Sequence, residues 1–204
     1  MLASYTFSKV IDDAPDATSV VVGNAGDDAK VAQDTLNPNN ERGLGVNDIR
    51  HRFVFSSVWD LNYAKSVNNA AAKALLSGWT LSTISQLQSG QPVSAVVTGD
   101  PNNDGNNFND RVPGVGRNTI TGPELMDWDL RLTRDIPIHE RARLRLIFEG
   151  FDITNRANFS GIQNTQYTFK GGVFTPTTNF LTKLTMQPQG VGSRVLQLAA
   201  KFTF

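Results

Sequence analysis

Alternation of apolar and polar residues predicts six β-strands in this chain. The pattern is clearest in the last three, where leucine and aromatic residues take every second position and mostly polar or charged residues lie between them. Because successive side chains of a strand point to opposite faces, each strand would have one apolar and one polar face. The third segment is the least regular, because it fades into Thr83 and Ser85. The predicted strands are residues 4–8, 52–61, 79–87, 126–133, 143–149 and 196–204.

The links between these segments alternate between long and short. Long links rich in Asp, Asn and Gly follow the first, third and fifth strands, whereas short links lie around residues 62–77 and 137–143. Outer-membrane barrels have this alternation, because their extracellular loops are long and their periplasmic turns are short. We therefore predict an all-β, antiparallel up-and-down meander that forms about six strands of a transmembrane outer-membrane β-barrel. If the last strand ends in the periplasm, all three long loops are extracellular. The alternative is a soluble β-sandwich or half-open barrel whose apolar faces pack together.

Composition and charge exclude several classes of function. Hydrophobic residues make up 39% of the chain, and 19 basic residues balance 19 acidic residues, so no basic face predicts a nucleic-acid partner. The absence of cysteine excludes thiol catalysis, Fe–S clusters, Cys-ligated zinc and disulfides. No secretion signal precedes the first strand, and no apolar run reaches the roughly 20 residues of a transmembrane helix.

A series of short phrases resembles the C-terminal barrel region of TonB-dependent receptors, in particular the Oar-like branch with a carboxypeptidase-regulatory-like domain. The phrases occur in the family's order and span nearly the whole chain. They are Tyr5-Thr6-Phe7-Ser8-Lys9 with Ile11-Asp12-Asp13, Asp48-Ile49-Arg50-His51-Arg52-Phe53-Val54-Phe55, Gly78-Trp79-Thr80-Leu81-Ser82 with Gln88-Ser89-Gly90-Gln91-Pro92, Asp100-Pro101-Asn102-Asn103-Asp104-Gly105-Asn106, Asn109-Asp110-Arg111, Asp129-Leu130-Arg131-Leu132, and Phe151-Asp152-Ile153-Thr154-Asn155-Arg156-Ala157-Asn158-Phe159.

The resemblance implies a plugged barrel of roughly 22 strands, of which residues 1–204 would supply the C-terminal six. The plug, the TonB-contacting box, the regulatory-like domain and the signal peptide would lie outside this chain. We therefore expect a fragment or a truncated gene product, with Met1 as an internal methionine; a separately encoded piece that completes a split barrel is the alternative. The implied function is active uptake of a solute across the outer membrane of a Gram-negative-type bacterium. A surface-exposed or soluble β-domain with a structural or adhesive role is the rival hypothesis.

The last strand carries a predicted assembly signal. Outer-membrane barrels commonly end in an aromatic residue with apolar residues at alternate positions before it, and the barrel assembly machinery reads this strand. The matching residues are Leu198, Ala200, Phe202 and Phe204. The expected partners are therefore outer-membrane lipid, the assembly machinery, and the remainder of the barrel with its plug.

The segment from Asp100 to Arg111 has the spacing of a calcium-binding loop. Oxygen-bearing side chains stand at positions 1, 3, 5 and 7, and Gly105 is at position 6, as in an EF-hand loop. Arg111 stands at position 12, where the bidentate Glu belongs, and Asp110 could substitute for it. The alternative is a turn cluster whose side chains satisfy their own backbone. The candidate ligands are Asp100, Asn102, Asp104, Asn106 and Asp110; no other cofactor is expected.

Charged residues on the polar faces of the last strands predict cross-strand pairs in the barrel lumen. They are Asp127, Asp129, Arg131, Arg143, Arg145 and Glu149. No nucleophile and base are arranged for catalysis, because Ser89 and Ser193 belong to turn sequences that lack the strand–turn–helix context of a hydrolase. We therefore expect that the protein is not an enzyme.

Overall fold

The computed structural model describes residues 1–13, 31–34, 36–61, 63–108, 110–139, 142–187 and 191–204. Part of the first long link, together with Asn109, lies outside these ranges. The strands are β1 (Leu2–Phe7), β2 (Ile11–Asp12), β3 (Gly43–Leu44), β4 (His51–Leu61), β5 (Trp79–Gln88), β6 (Pro92–Val93), β7 (Val96–Thr98), β8 (Ile120–Thr121), β9 (Leu125–Pro137), β10 (Arg143–Phe151), β11 (Thr165–Lys170), β12 (Val173–Pro176) and β13 (Val195–Thr203).

The six long strands form one sheet in the order β1-β4-β5-β9-β10-β13. Every neighbouring pair is antiparallel, and spatial neighbours are also successive long strands in the sequence. The predicted all-β meander is therefore confirmed. Its three long connections lie at one end of the sheet and its two short connections at the other, as the alternation of link lengths predicts.

The strand register places most of the large apolar side chains of the six strands on one face, whereas Val54, Val58 and Ile84 lie on the other face. Phe148 of β10 lies opposite Leu132 of β9 and Leu198 of β13, and the alternate residues along each strand continue the same face. Most of its large side chains near the two edges are open, with Leu198 76% exposed. The sheet thus presents a continuous apolar surface with aromatic residues near the strand ends.

Two hydroxyl residues explain the irregular pattern of the third predicted strand, which is β5. Thr83 and Ser85 lie on the apolar face opposite Leu130 and Trp128. The Trp128 indole donates a hydrogen bond to Thr83 Oγ1 at 2.8 Å, and Thr83 Oγ1 donates to the Asp129 carbonyl at 3.0 Å. Thr83 is only 6% exposed. A hydroxyl is tolerated on this face because it is covered by a tryptophan and has its hydrogen bonds satisfied.

A soluble sandwich would bury its apolar face, and this sheet does not. Among the described residues the buried hydrophobic side chains are Ala64, Ala95 and Val97, whereas ten polar or charged residues are buried. The interior of the described structure is thus mainly polar and lies in the long loops, while large apolar side chains of the sheet stay on the surface.

The first short link contains a helix that the alternation pattern does not predict. Helix α1 (Ala70–Leu76) follows a 3₁₀ turn at Tyr63–Ser66. Asn69 caps α1, since its side-chain oxygen accepts the amides of Ala71 and Ala72. Within the described parts of the chain, no helix has the length and apolar character needed to cross a membrane.

Gly90, just after β5, marks a close approach of two backbone segments. A β-carbon at this position would lie 1.9 Å from the Gly122 carbonyl oxygen and 2.8 Å from that of Pro123. We expect Gly90→Ala to lower the free energy of unfolding by about 1–3 kcal/mol, because backbone must move to admit the methyl group. Urea unfolding of the protein in detergent micelles measures this.

The matched control is Gly116→Ala. The nearest atom to a β-carbon there is Thr119 Cγ2 at 3.6 Å, which is an ordinary contact. This variant should unfold at the same urea concentration as the unchanged protein. Equal shifts in the two variants would contradict the close approach at Gly90.

Candidate functional site

The three long connections fold together into a unit that we call the loop cap, which comprises the described residues of 8–50, 89–124 and 152–194. Each connection contributes short strands: β2 pairs with β3, β6 with β8, and β11 with β12. Strand β7 of the second connection pairs in parallel with β11 of the third. The long links therefore form a structured unit at one end of the sheet.

A buried ion pair joins the first and second connections. Arg111 donates to both oxygens of the Glu41 carboxylate, at 2.8 and 3.0 Å, and to the Asn40 carbonyl at 3.2 Å. Glu41 is 0% exposed and Arg111 is 8% exposed. A two-pronged arginine–carboxylate pair is among the strongest polar contacts in proteins. It fixes the relative position of two loops that are far apart in sequence.

Arg117 and Asn118 add a second polar link between the same connections. Arg117 donates to the Glu41 carbonyl at 2.7 Å, to the Asp12 carbonyl at 2.8 Å, and to the Asp12 carboxylate. The Asn118 amide group donates to the Leu44 carbonyl at 2.6 Å, and its backbone amide donates to Ser94 Oγ at 2.9 Å. Buried side chains thus satisfy the backbone groups of neighbouring loops.

Asp48 fastens the first connection just before β4 begins. Its carboxylate accepts the Val10 amide at 2.7 Å and the Arg50 guanidinium at 3.0 Å, and it is 3% exposed. Burial pushes the pKa of Asp48 up, but the Val10 hydrogen bond and the Arg50 contact outweigh burial and leave the pKa below 3.8.

This depressed pKa predicts a specific acid sensitivity. A carboxyl group with a lowered pKa in the folded state contributes stability that is complete above 3.8 and is lost as the pH falls through the folded value. We expect Asp48→Asn to be less stable than the unchanged protein at pH 7, with the difference shrinking below pH 4. Thermal unfolding from pH 7 to pH 2 measures it. A difference that stays constant over this range would contradict the contribution of Asp48.

A half-open cavity of about 640 Å³ with a mixed polar and apolar wall lies in the loop cap. Its wall combines residues of the first and second connections, including the main chain of residues 112–116. Amides and charged groups supply its polar surface, and it has no aromatic lining. The polar side chains are Gln33, Asp34, Asn40, Asn102, Asp104 and Arg111.

The candidate calcium segment lies along this cavity. Asp100 accepts the backbone amides of Asp104 and Gly105 at 3.0 and 2.9 Å. Asn102 accepts the Asp104 amide, and Asp104 accepts the Asn106 amide. The turn cluster expected as the alternative is therefore present. No three Asp, Glu, His or Cys side chains of the described residues are already gathered around one point in the manner of a metal site.

The polar face of the sheet carries the predicted charge ladder. Arg131 of β9 lies opposite Glu149 of β10, and the two side chains are paired at 2.7 Å. Arg145 pairs with Asp135 at 2.6 Å. Asp135 is an addition to the predicted set, because β9 continues to Pro137 beyond the predicted end at residue 133.

The other ladder residues lie at the two ends of these strands. Asp129 accepts the Asp152 amide at 3.0 Å, and Asp127 has a buried carboxylate oxygen that accepts no hydrogen bond within the described structure. Arg143 lies opposite Pro137 near the short connection.

The predicted assembly signal occupies the outer edge of the sheet. In β13, Leu198, Ala200 and Phe202 lie opposite Phe148, Leu146 and Leu144 of β10. Phe204 follows the strand, is 94% exposed, and has its ring 6.1 Å from that of Phe202. Among the described residues, β13 has one strand neighbour, so its other backbone edge is open.

Comparison with known proteins decides the family. The sequence profile of one family, described as the outer membrane beta barrel domain, matches residues 1–116 and 112–197. The chain belongs to this family. Comparison with curated proteins and with solved structures gives no match.

Membership in the outer membrane beta barrel domain family assigns an environment to each face of the sheet. It indicates a place in the outer membrane of a Gram-negative-type bacterium, with the apolar face toward lipid and the charged face toward the lumen. Arg134 fits this assignment although it lies on the apolar face, because it is near the strand end. It stacks over Trp79 at 5.2 Å and donates to the Ala74 carbonyl. Tryptophan and arginine are typical anchors at the membrane–water interface.

Proposed function

We propose that this outer-membrane barrel protein is a TonB-dependent receptor of the Oar-like branch, which takes up a solute actively across the outer membrane. The observation that carries the proposal is the ordered series of family phrases along the chain. In the fold these phrases fall at defined places: the start of β4, the start of β5, the cavity wall, the centre of β9, and the turn after β10.

The two faces of the sheet support this proposal. A transporter of this class needs a wet lumen, and the inward face carries ion pairs such as Arg131–Glu149 and Arg145–Asp135 that are suited to water. The loop cap contains an open cavity with charged and amide side chains in its wall, at the end where the proposal puts the extracellular medium. A polar, charged solute-binding region at this end fits uptake from outside.

The open edges of the sheet support the proposed partners. Strands β1 and β13 each pair on one side within the described residues. An unpaired backbone group in lipid costs several kcal/mol, so other strands of a closed barrel should pair with both edges. We propose that these strands, the plug and the surrounding lipid are the partners, and that the assembly machinery contacts β13. The proposal includes no catalytic role.

The test compares two deletion strains of the native host. One lacks the gene of this protein and the other lacks TonB, and both are grown on a panel of scarce iron sources, oligosaccharides and peptides. We expect the first strain to lose growth on a subset of the solutes that the second also loses. A strain that loses surface attachment but no TonB-dependent growth would favour the adhesive alternative.

Orientation is tested with single cysteines, because the chain has none of its own. Leu36→Cys lies in the loop cap at a position that is 95% exposed, and His139→Cys lies in the exposed second short connection. A membrane-impermeant maleimide should label Leu36→Cys on intact cells and His139→Cys only after the outer membrane is permeabilised. The reverse pattern would contradict the proposed orientation.

A further inference from the structure

Asp110 is a buried acidic residue whose carboxylate has few hydrogen-bond partners. It is 0% exposed, and its Oδ2 atom has no hydrogen-bond partner within the described structure. Its Oδ1 atom accepts only a long hydrogen bond, from Gln33 Nε2 at 3.4 Å. Buried charged groups in proteins are normally paired or bound to a metal ion. Asp110 therefore has one buried carboxylate oxygen that is open to a ligand.

The neighbouring charges strengthen this conclusion. The carboxylates of Asp104 and Asp100 repel the charge of Asp110, and burial of Asp110 disfavours that charge further. Arg111 offsets only part of this repulsion, because its guanidinium is hydrogen-bonded to both oxygens of Glu41. Asp110 thus lies within the influence of two like charges, and the adjacent Arg111 is paired with Glu41.

The segment before Asp110 supplies further oxygen atoms at suitable intervals. Asp100 turns the backbone by accepting the amides of Asp104 and Gly105, and Gly105 adopts a φ of 89° that favours glycine. Calcium takes six to eight oxygen ligands from carboxylates, amide carbonyls and water, whereas zinc prefers His and Cys. The ligand set here consists of oxygen atoms alone.

We propose that the carboxylates of Asp100, Asp104 and Asp110 and the amide oxygens of Asn102 and Asn106 bind one calcium ion. Asp104 Oδ2 now accepts a hydrogen bond from the Asn102 amide at 3.0 Å. Binding exchanges this contact for the ion and draws Asp104 toward Asp110. Such coupling between binding and local ordering is common at metal sites.

Calcium in this position would stiffen one wall of the cavity. Asn102 and Asp104 both line the cavity, and the Asn102 amide donates to the Gln33 carbonyl at 3.1 Å. The ion would tie the second connection to the segment of the first that contains Gln33. This role is independent of which solute the barrel carries and of whether the barrel is a transporter.

The test is calorimetric titration of calcium chloride into the full-length protein, extracted from the outer membrane in detergent and freed of metal with EDTA. We expect one saturable site. Asp110→Asn and Asp104→Asn should each weaken calcium binding by at least about tenfold, because each removes a ligand charge. Magnesium chloride should bind more weakly than calcium.

Asp34→Asn is the matched control. Asp34 lines the same cavity, but its carboxylate accepts the Leu36 and Asn37 amides and is not a proposed ligand. Its calcium affinity should be unchanged. Absence of a saturable site in the unchanged protein, or unaltered affinity in both ligand variants, would overturn the proposal. Asp104 is exposed, so its variant decides the outcome if Asp110→Asn fails to fold.

Discussion

Replacing Arg111 with alanine should destabilise the loop cap by about 3–5 kcal/mol, the largest effect that we expect from a single substitution. The reason is that Glu41, the partner of Arg111, would remain buried. Glu41 is 0% exposed, and without Arg111 its carboxylate would be a buried charge with no guanidinium beside it. Native-state hydrogen exchange should show the amides of the loop cap exchanging roughly a hundredfold faster or more, with the centre of the sheet unchanged.

The control for this variant is Arg156→Ala. Arg156 pairs with Glu124 at the same end of the sheet, but the side chains are 40% and 64% exposed. Removal of an exposed pair costs about 0–1 kcal/mol. A double variant, Glu41→Gln with Arg111→Met, should recover much of the stability, because it leaves no unpaired charge. Equal effects of Arg111→Ala and Arg156→Ala would show that burial of the Glu41–Arg111 pair has no energetic consequence.

Leu198→Arg should cost about 2–4 kcal/mol in a bilayer, because it puts a charge on the lipid face near the middle of β13. Gln197→Arg, one residue away, should cost little. Gln197 points to the opposite face and lies across from Glu149, which would pair with the new arginine. Guanidinium-induced unfolding in phospholipid vesicles gives both free energies.

A third position separates a lipid environment from burial against protein. Ile136 lies on the same apolar face near the end of β9 that meets the short connection. Its replacement by arginine should cost only about 0–1 kcal/mol, since the cost of a charge on a barrel falls toward the membrane interface. Arg134, two residues before Ile136 on the same face, is already a charged residue near this end of β9. Equal costs at Leu198 and Ile136 would indicate that another protein layer covers the apolar face.

The sheet could be predicted from sequence because its signal is local. Each strand shows its two faces in consecutive residues, and turn residues mark its ends. Where hydroxyls replace apolar residues, as at Thr83, the pattern weakens because the compensating partner, Trp128, is on another strand. The alternation predicts the end of β9 four residues too early, at residue 133, because Arg134 lies on the apolar face and breaks the pattern. This error concealed Asp135, the partner of Arg145.

The loop cap could not be predicted in the same way. Glu41 and Arg111 are separated by 70 residues, and nothing near either one indicates the other. Strand β7 of the second connection likewise pairs with strand β11 of the third, which is far away in the sequence. Helix α1 did leave a local signal, because Asn69 precedes an alanine-rich run in the manner of a helix cap. A period of two residues does not detect it, because a helix repeats every 3.6 residues.

The polar interior of the loop cap has a thermal consequence. Opening a region that buries mainly charged and amide groups exposes little apolar surface, so the heat-capacity change of its local unfolding should be small. Its stability curve should therefore be flat on cooling, when hydrophobic cores weaken. The loop cap would keep its shape in the cold and respond chiefly to the ions in the surrounding water.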